Sequence, residues 1–170
     1  MKIVVLKFGG TSVGTIEKIK KVTDIIIEHK KKKNKVIVVS SAMSGVTNDL
    51  IKKSKQISNN FIDSEYDVLV SSGEQVACSL IAGRLNHKGF KSRSWLGWQI
   101  PIFTNGPYTN SRIQQVNKNK LLRFLKEGGI PIITGFQGIN MNERVTTIGR
   151  GGSDASAIMI AKSFKAQRCI

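Results

Sequence analysis

The apolar positions change period repeatedly along the chain. Residues 2–7 form a short Val/Ile-rich run that ends at a glycine pair, the pattern of a buried strand. Residues 15–33 place Ile16, Ile19, Val22 and Ile26 at helical spacing with lysines between them. This predicts an amphipathic helix whose closing lysine cluster, 30–33, complements the helix dipole. A second Val/Ile strand is predicted at 35–40, and a second helix at 46–58 through Val46, Leu50 and Ile51. A third helix is predicted at 73–87, with Val76, Leu80, Ile81 and Leu85 on one face and Gly89 as its stop. Residues 91–96 read as a strand, and 97–110 as mostly loop with room for a short hairpin. Residues 118–127 read as a short helix through Leu121, Leu122 and Leu125, closed by Gly128-Gly129, and 130–134 as another strand. A polar excursion, a glycine cluster at 149–152, an apolar helix at 153–164 and a last strand from Gln167 complete the pattern. The alternation predicts an α/β domain with a mostly parallel sheet and helices on both faces.

Composition bounds this picture. The chain has 170 residues, 40% of them hydrophobic, enough for one domain with its own core. No apolar run approaches the ~20 residues of a membrane span, and the first residues lack the pattern of a signal peptide. Cys78 and Cys169 make no CxxC pair, so a reducing, cytoplasmic setting without a membrane is expected. Charge raises a rival class: Lys plus Arg is 27 against 11 Asp plus Glu, a net +16, which is the footprint of a polyanion binder. Twenty of those cations are lysine and seven arginine, whereas bidentate phosphate and base recognition favours arginine. Lys, Ile and Asn are also what AT-rich codons supply. Nucleic acid is therefore not the expected partner.

Ligands of parallel α/β sheets bind at the carboxyl ends of the strands, and four unusual segments fall there. In KFGGTSVG at 7–14, glycines follow a strand and precede a helix, so backbone N–H groups and a helix N-terminus can approach an anion. A tight turn with a surface lysine explains the spacing equally well. It is not a Walker A loop, because Thr15 stands where the lysine belongs. Ser40, Ser41, Ser44 and Thr47 bring small hydroxyls to the next strand end; they suit a carboxylate or phosphate, or simply the cap of the following helix. In Ser71-Ser72-Gly73-Glu74, the acid either answers the dipole at a helix start or binds a substrate ammonium group. In TTIGRGGSDASA at 146–157, Arg150 sits in a glycine-rich turn before a helix, where it can grip a carboxylate in bidentate fashion. His29 and His87 have no ligand spacing around them and read as surface residues, so no protein-held metal is expected. No Ser/His/Asp or Cys/His set supports covalent hydrolysis.

Taken together and in order, KFGGTSVG (7–14), VVSSAMSGVTNDL (38–50), LVSSGEQ (69–75), LGWQIPI (96–102), ITGFQG (133–138) and TTIGRGGSDASA (146–157) resemble the aspartate kinases of the amino-acid kinase family. The resemblance implies that fold, and a reaction in which ATP phosphorylates the β-carboxylate of L-aspartate, the first step toward lysine and diaminopimelate, threonine and methionine. It implies ATP and L-aspartate as partners, with Mg²⁺ held mainly by the nucleotide, and it leaves room for a homodimer. By the same resemblance, Lys7 and Asp154 are catalytic. Lys7, Phe8, Gly9, Gly10, Thr11 and Ser41 line the nucleotide phosphates. Thr47, Glu74, Arg150, Gly151, Gly152 and Ser153 hold the amino acid. Chains of this family run on into a nucleotide-binding segment and C-terminal ACT domains. Residues 1–170 are therefore expected to be an incomplete kinase domain without an ACT domain, and an inactive or partner-binding fragment is the alternative.

Overall fold

The computed structural model describes residues 2–149 and 151–170. Five parallel strands form the main sheet: β1 (Ile3–Phe8), β2 (Lys35–Ser40), β3 (Ser92–Trp95), β6 (Ile130–Thr134) and β9 (Arg168–Cys169), in the order β3-β6-β2-β1-β9. The remaining strands are β4 (Ile102–Asn105), β5 (Arg112–Val116), β7 (Gln137–Ile139) and β8 (Val145–Thr147). They build a second, mixed sheet in the order β5-β4-β7-β8. The helices are α1 (Ile16–Lys31), α2 (Val46–Ile57), α3 (Asp63–His87), α4 (Asn119–Lys126) and α5 (Gly152–Ser163).

The predicted α/β architecture is present, and side-chain alternation divides its core in two. Val4, Leu6, Val36, Val38, Ile130 and Ile132 pack against α1 and α3. Ile3, Val5, Ile37, Val39 and Ile133 face α4, α5 and the second sheet. Strands buried on both faces have to read as unbroken Val/Ile runs, which is why the sequence marked them so clearly.

Two elements differ from expectation. Helix α3 begins ten residues earlier than predicted, at Asp63, and so carries the 71–74 segment in its interior. The polar stretch after β6 contributes β7 and β8 to the second sheet, where only the 97–110 hairpin was expected. That sheet is held partly by polar contacts: the Thr104 and Thr146 hydroxyls lie 2.6 Å apart, and the Thr104 hydroxyl donates to the Ile139 carbonyl at 3.0 Å. Buried hydroxyls carry no hydrophobic periodicity.

The lysine run also has a partly structural use. Lys30 Nζ donates to the Gly128 carbonyl (2.9 Å) and Lys35 Nζ to the Leu125 carbonyl (2.8 Å). Both serve the carboxyl end of α4, where unpaired carbonyls collect. Burial and the neighbouring Lys35 hold the Lys30 ammonium below its ordinary pKa. Lys31, Lys32 and Lys33 are exposed.

Candidate active site

Strand register brings the predicted segments together. Phe8 pairs with Ser40, and Ser40 with Thr134, so β1, β2 and β6 end side by side. The chain leaving each end is tied to the next: the Ser41 N–H donates to the Phe8 carbonyl and the Gly135 N–H to the Ser40 carbonyl, each at 3.0 Å. A cleft of about 320 Å³ opens above these ends, lined by Lys7, Gly10, Ser41, Ala42, Met43, Thr47, Glu74, Phe136, Gly151, Gly152, Ser153 and Asp154.

Lys7, near the end of β1, reaches into the cleft, and its Nζ lies 2.6 Å from Oδ1 of Asp154 in the first turn of α5. The cation is mostly covered while the carboxylate is mostly exposed, with side-chain exposures of 23% and 63%. The pair ties the end of β1 to the first turn of α5 at the lining of the cleft. Gly9 leaves the Lys7 ammonium room, since a Cβ there would stand 3.4 Å from Nζ. Gly10 allows the close approach of the Ala42 carbonyl, which a Cβ would meet at 2.9 Å. Phe8 packs against the α1/α3 core, which leaves its backbone for any phosphate contact. Thr11 is exposed, and its carbonyl accepts from Lys18 Nζ at 2.9 Å.

Glu74 forms the opposite wall. It lies in the middle of α3, so the expectation that it answers a dipole at a helix start is corrected: the acid is far from either helix end. It is 3% exposed. Its Oε1 accepts from the Ala42 N–H at 3.2 Å, and its buried Oε2 has no partner among the described residues. Burial pushes the carboxyl up to about 7, the Ala42 N–H pulling weakly the other way. Gly73 makes this wall possible, because a Cβ there would stand 2.9 Å from the Ala42 methyl. A buried carboxylate with one unanswered oxygen is costly unless something arrives to answer it.

The third wall is the turn into α5. Gly151 adopts the left-handed conformation (φ 77°). Gly152 accommodates the Phe136 ring and Ile148, which a Cβ would meet at 2.8 and 2.9 Å. Phe136 is itself left-handed at φ 66°, an uncommon conformation for a bulky residue. Its N–H donates to Ser156 Oγ at 3.1 Å, and the Ser156 hydroxyl donates to the Gly152 carbonyl at 2.8 Å. Arg150 lies outside the described residues.

Lys7, Gly10, Ser41, Thr47, Glu74, Gly151, Gly152, Ser153 and Asp154 therefore gather around one cleft, while Phe8, Gly9 and Thr11 sit behind or beside it. Sequence reasoning did not single out the Ala42 N–H, Phe136 or Asp67. Phe136 lies within the quoted ITGFQG segment, but only its positive φ marks it as unusual. A second concavity, of about 490 Å³, is lined by Arg93, Trp95, Trp98, Lys120 and Arg123 among others. None of the predicted site residues reaches it. Its acid, Glu127, is paired with Lys91 at 2.6 Å.

Known proteins resemble this chain over nearly its whole length. The model of the amino acid kinase family fits residues 2–170. An aspartokinase of Geobacillus stearothermophilus is 46% identical over 169 residues, covering 99% of this chain and 42% of its own length. One from Rickettsia prowazekii is 48% identical over 172 residues, covering 99% and 39%. Among solved structures, E. coli aspartokinase III in complex with aspartate and ADP superimposes with a TM-score of 0.86 at 25% identity, over 99% of this chain and 48% of that one. Aspartate kinase from Synechocystis does so with a TM-score of 0.83 at 38% identity, over 98% and 27%. The chain spans less than half the length of these relatives. Over residues 2–170, this chain belongs to the amino acid kinase family.

Proposed function

We propose that this chain carries the amino-acid and phosphate-side walls of an aspartate kinase, which transfers the γ-phosphoryl group of ATP to the β-carboxylate of L-aspartate. The observation that carries the reading is Glu74: a buried carboxylate, one oxygen unanswered, facing a cleft whose other side presents a lysine. A substrate ammonium group answers that oxygen. Arg150 grips a substrate carboxylate, and Thr47 and Ser153 contact the amino acid, as the family resemblance implies.

The nucleophile needs no base, since a carboxylate is ionised at neutral pH. A β-carboxylate oxygen forms the new bond to the γ-phosphorus. The bond from that phosphorus to the β,γ-bridging oxygen breaks, and its electron pair leaves with ADP. Two anions have to be held together, so positioning and charge stabilisation do the catalysis. Lys7, oriented by Asp154, supplies the positive charge beside the transferring group. The Gly10 backbone and Ser41 are placed for the phosphates. Among the described residues no group of three Asp, Glu, His or Cys side chains is disposed to hold a metal ion. Magnesium held mainly by the nucleotide, as the family resemblance implies, would add charge neutralisation at the phosphates. Among the same residues no helix is long and apolar enough to cross a membrane. A cytoplasmic enzyme, working as a homodimer, is the setting we propose.

The test is calorimetric titration with L-aspartate, with a hydroxamate assay for the acyl phosphate. L-aspartate should bind, and Glu74→Gln should weaken binding about 100-fold, the scale of losing one partner of a buried charge pair. In a chain extended through the family's nucleotide-binding segment, hydroxamate should form and Lys7→Ala should abolish it. Unchanged affinity in Glu74→Gln refutes the ammonium assignment, and undiminished turnover in Lys7→Ala refutes the role of the lysine.

A further inference from the structure

Helix α3 carries a second buried acid that the proposed chemistry does not use. Asp67 has no exposed surface. It lies seven residues, two helical turns, before Glu74 on the same helix. Its carboxylate faces the second sheet and answers three donors. The Thr147 N–H donates to Oδ2 at 2.8 Å and the Thr147 hydroxyl to Oδ1 at 2.6 Å. The Thr109 N–H is shared between Oδ1 and Oδ2, at 3.1 and 3.0 Å.

Thr147 is the last residue of β8 and leads directly into the turn before α5. Its carbonyl accepts from the Ser111 N–H at 3.0 Å, so every polar group of this residue is held. The next residue is held as well, the Ile148 N–H donating to the Phe136 carbonyl at 2.9 Å. The turn therefore leaves from a fixed base, and Asp67 supplies two of the contacts that fix it. No other side chain contributes two hydrogen bonds to that base among the described residues. Its own helix forms the Glu74 wall of the cleft, so one helix sets both sides of the amino-acid site.

Resting on the reading of the cleft as an L-aspartate site, we infer that Asp67 is a positioning residue: through Thr147 it sets where Gly151, Gly152, Ser153 and Asp154 stand relative to Glu74, and so governs affinity for the amino acid without touching it. The geometry explains why a hydrophobic residue would not serve. The 105–111 loop and the end of β8 bring buried N–H groups to one point, and only a carboxylate offers acceptors to all of them. Asparagine has nearly the same shape but turns an NH₂ toward one of these donors, which sets two donors face to face.

The test uses the 170-residue chain and four variants: Asp67→Asn, Thr147→Val, Thr147→Ser and the Asp67→Asn/Thr147→Val double variant. L-aspartate affinity is measured by calorimetry well below each melting temperature, and the amides of residues 152–154 are followed by NMR and hydrogen exchange. Asp67→Asn should weaken L-aspartate binding about tenfold, because small misplacements of a binding wall are costly. It should also shift and deprotect the 152–154 amides, which Asp67 does not contact, while those of β1 and β2 keep their protection. Thr147→Val should have a smaller effect of the same kind, and Thr147→Ser, which keeps the hydroxyl, should bind like the parent. The double variant should lose less than the sum of the two single losses. Changes confined to Thr109 and Thr147, with affinity and the 152–154 amides unmoved, overturn the inference. So does a loss of protection spread evenly over the fold, the mark of simple destabilisation. If the parent chain does not bind L-aspartate, the functional reading falls, and the 152–154 amides in Asp67→Asn then decide this inference alone.

Discussion

Asp67 and Glu74 share a helix, a face and almost complete burial, yet they are provided for differently. Around Asp67 the second sheet closes with three donors for one carboxylate. Around Glu74 one backbone N–H serves one oxygen, and the other is left alone. Burial raises the pKa of both. For Asp67 the Thr147 and Thr109 donors oppose that rise; for Glu74 only backbone hydrogen bonding opposes it, and burial still pushes the carboxyl up to about 7. The difference separates an acid whose oxygens are answered from one that, in the proposed function, is answered by a substrate ammonium group. A satisfied buried carboxylate is structural cement, and an unsatisfied one stores a cost that a substrate relieves.

The contrast breaks most readily at Asp67. Asp67→Ala strands the Thr109 and Thr147 donors in the interior and should cost about 3 kcal/mol. In a domain of this size that lowers the melting temperature by about 6–12 °C. A melting temperature within about a degree of the parent, by calorimetry or circular dichroism, would mean that the donors find other partners and that the two acids are not different in kind.

The next effect has the opposite sign. The folded-state pKa of Glu74 is raised above its unfolded value of 4.5, to about 7. The folded chain therefore binds more protons than the unfolded chain in that window. Stability from this group is fully present below pH 4.5 and is lost as pH rises through about 7. Glu74→Gln removes the titration. At pH 8 the ligand-free variant should be more stable than the parent by about 1–2 kcal/mol, and at pH 4 the two should match. Denaturant melts at both pH values read this directly. A variant less stable than the parent at pH 8 would show that Glu74 is satisfied after all.

The smallest effects sharpen the same division along the helix. Gly73, behind Glu74, has the Ala42 methyl 2.9 Å and Val46 Cγ1 3.2 Å from where a Cβ would stand, whereas Gly83 has nothing within 4 Å. Gly73→Ala should destabilise by about 1 kcal/mol through crowding. Gly83→Ala should stabilise by about 0.5–1 kcal/mol through helix propensity. Equal shifts from both in chemical denaturation would mean that the wall of the cleft is slack.

What the sequence revealed follows the same line between apolar and polar burial. Strands β1, β2 and β6 and most helices were legible because Val, Ile and Leu recur in their element, as in β2 and α1, whereas β3 (SRSW) and β9 (RC) carry no such run. The first ten residues of α3 were not, because the residues they bury include Asp67 and Ser71. Both are answered by polar groups of the second sheet, the Ser71 carbonyl by Gln137 Nε2 at 2.9 Å, and neither adds to an apolar stripe. The second sheet was missed for a related reason. Its buried positions include Thr104, Gln137, Thr146 and Thr147, and Gly138 lets strands close to within 2.5 Å of where a Cβ would meet the Ile102 carbonyl. The site was legible wherever a charge stood beside glycines, as at Lys7 and Asp154. It was illegible at the Ala42 N–H, which any residue but proline would provide.

The length of α3 has a mechanical meaning. Its 25 residues make a rod of about 37 Å. Near one end Glu65 is paired with Arg144, and at the other the Asn86 amide clasps the backbone of Ser92 at 2.9 and 3.0 Å. Glu74 rides between them like a mark on a lever. A force that tilts either end moves the carboxylate in proportion to its distance from the pivot. One rigid helix thus ties the Glu74 wall of the cleft to the Glu65–Arg144 pair and to the Asn86–Ser92 clasp, both outside the cleft.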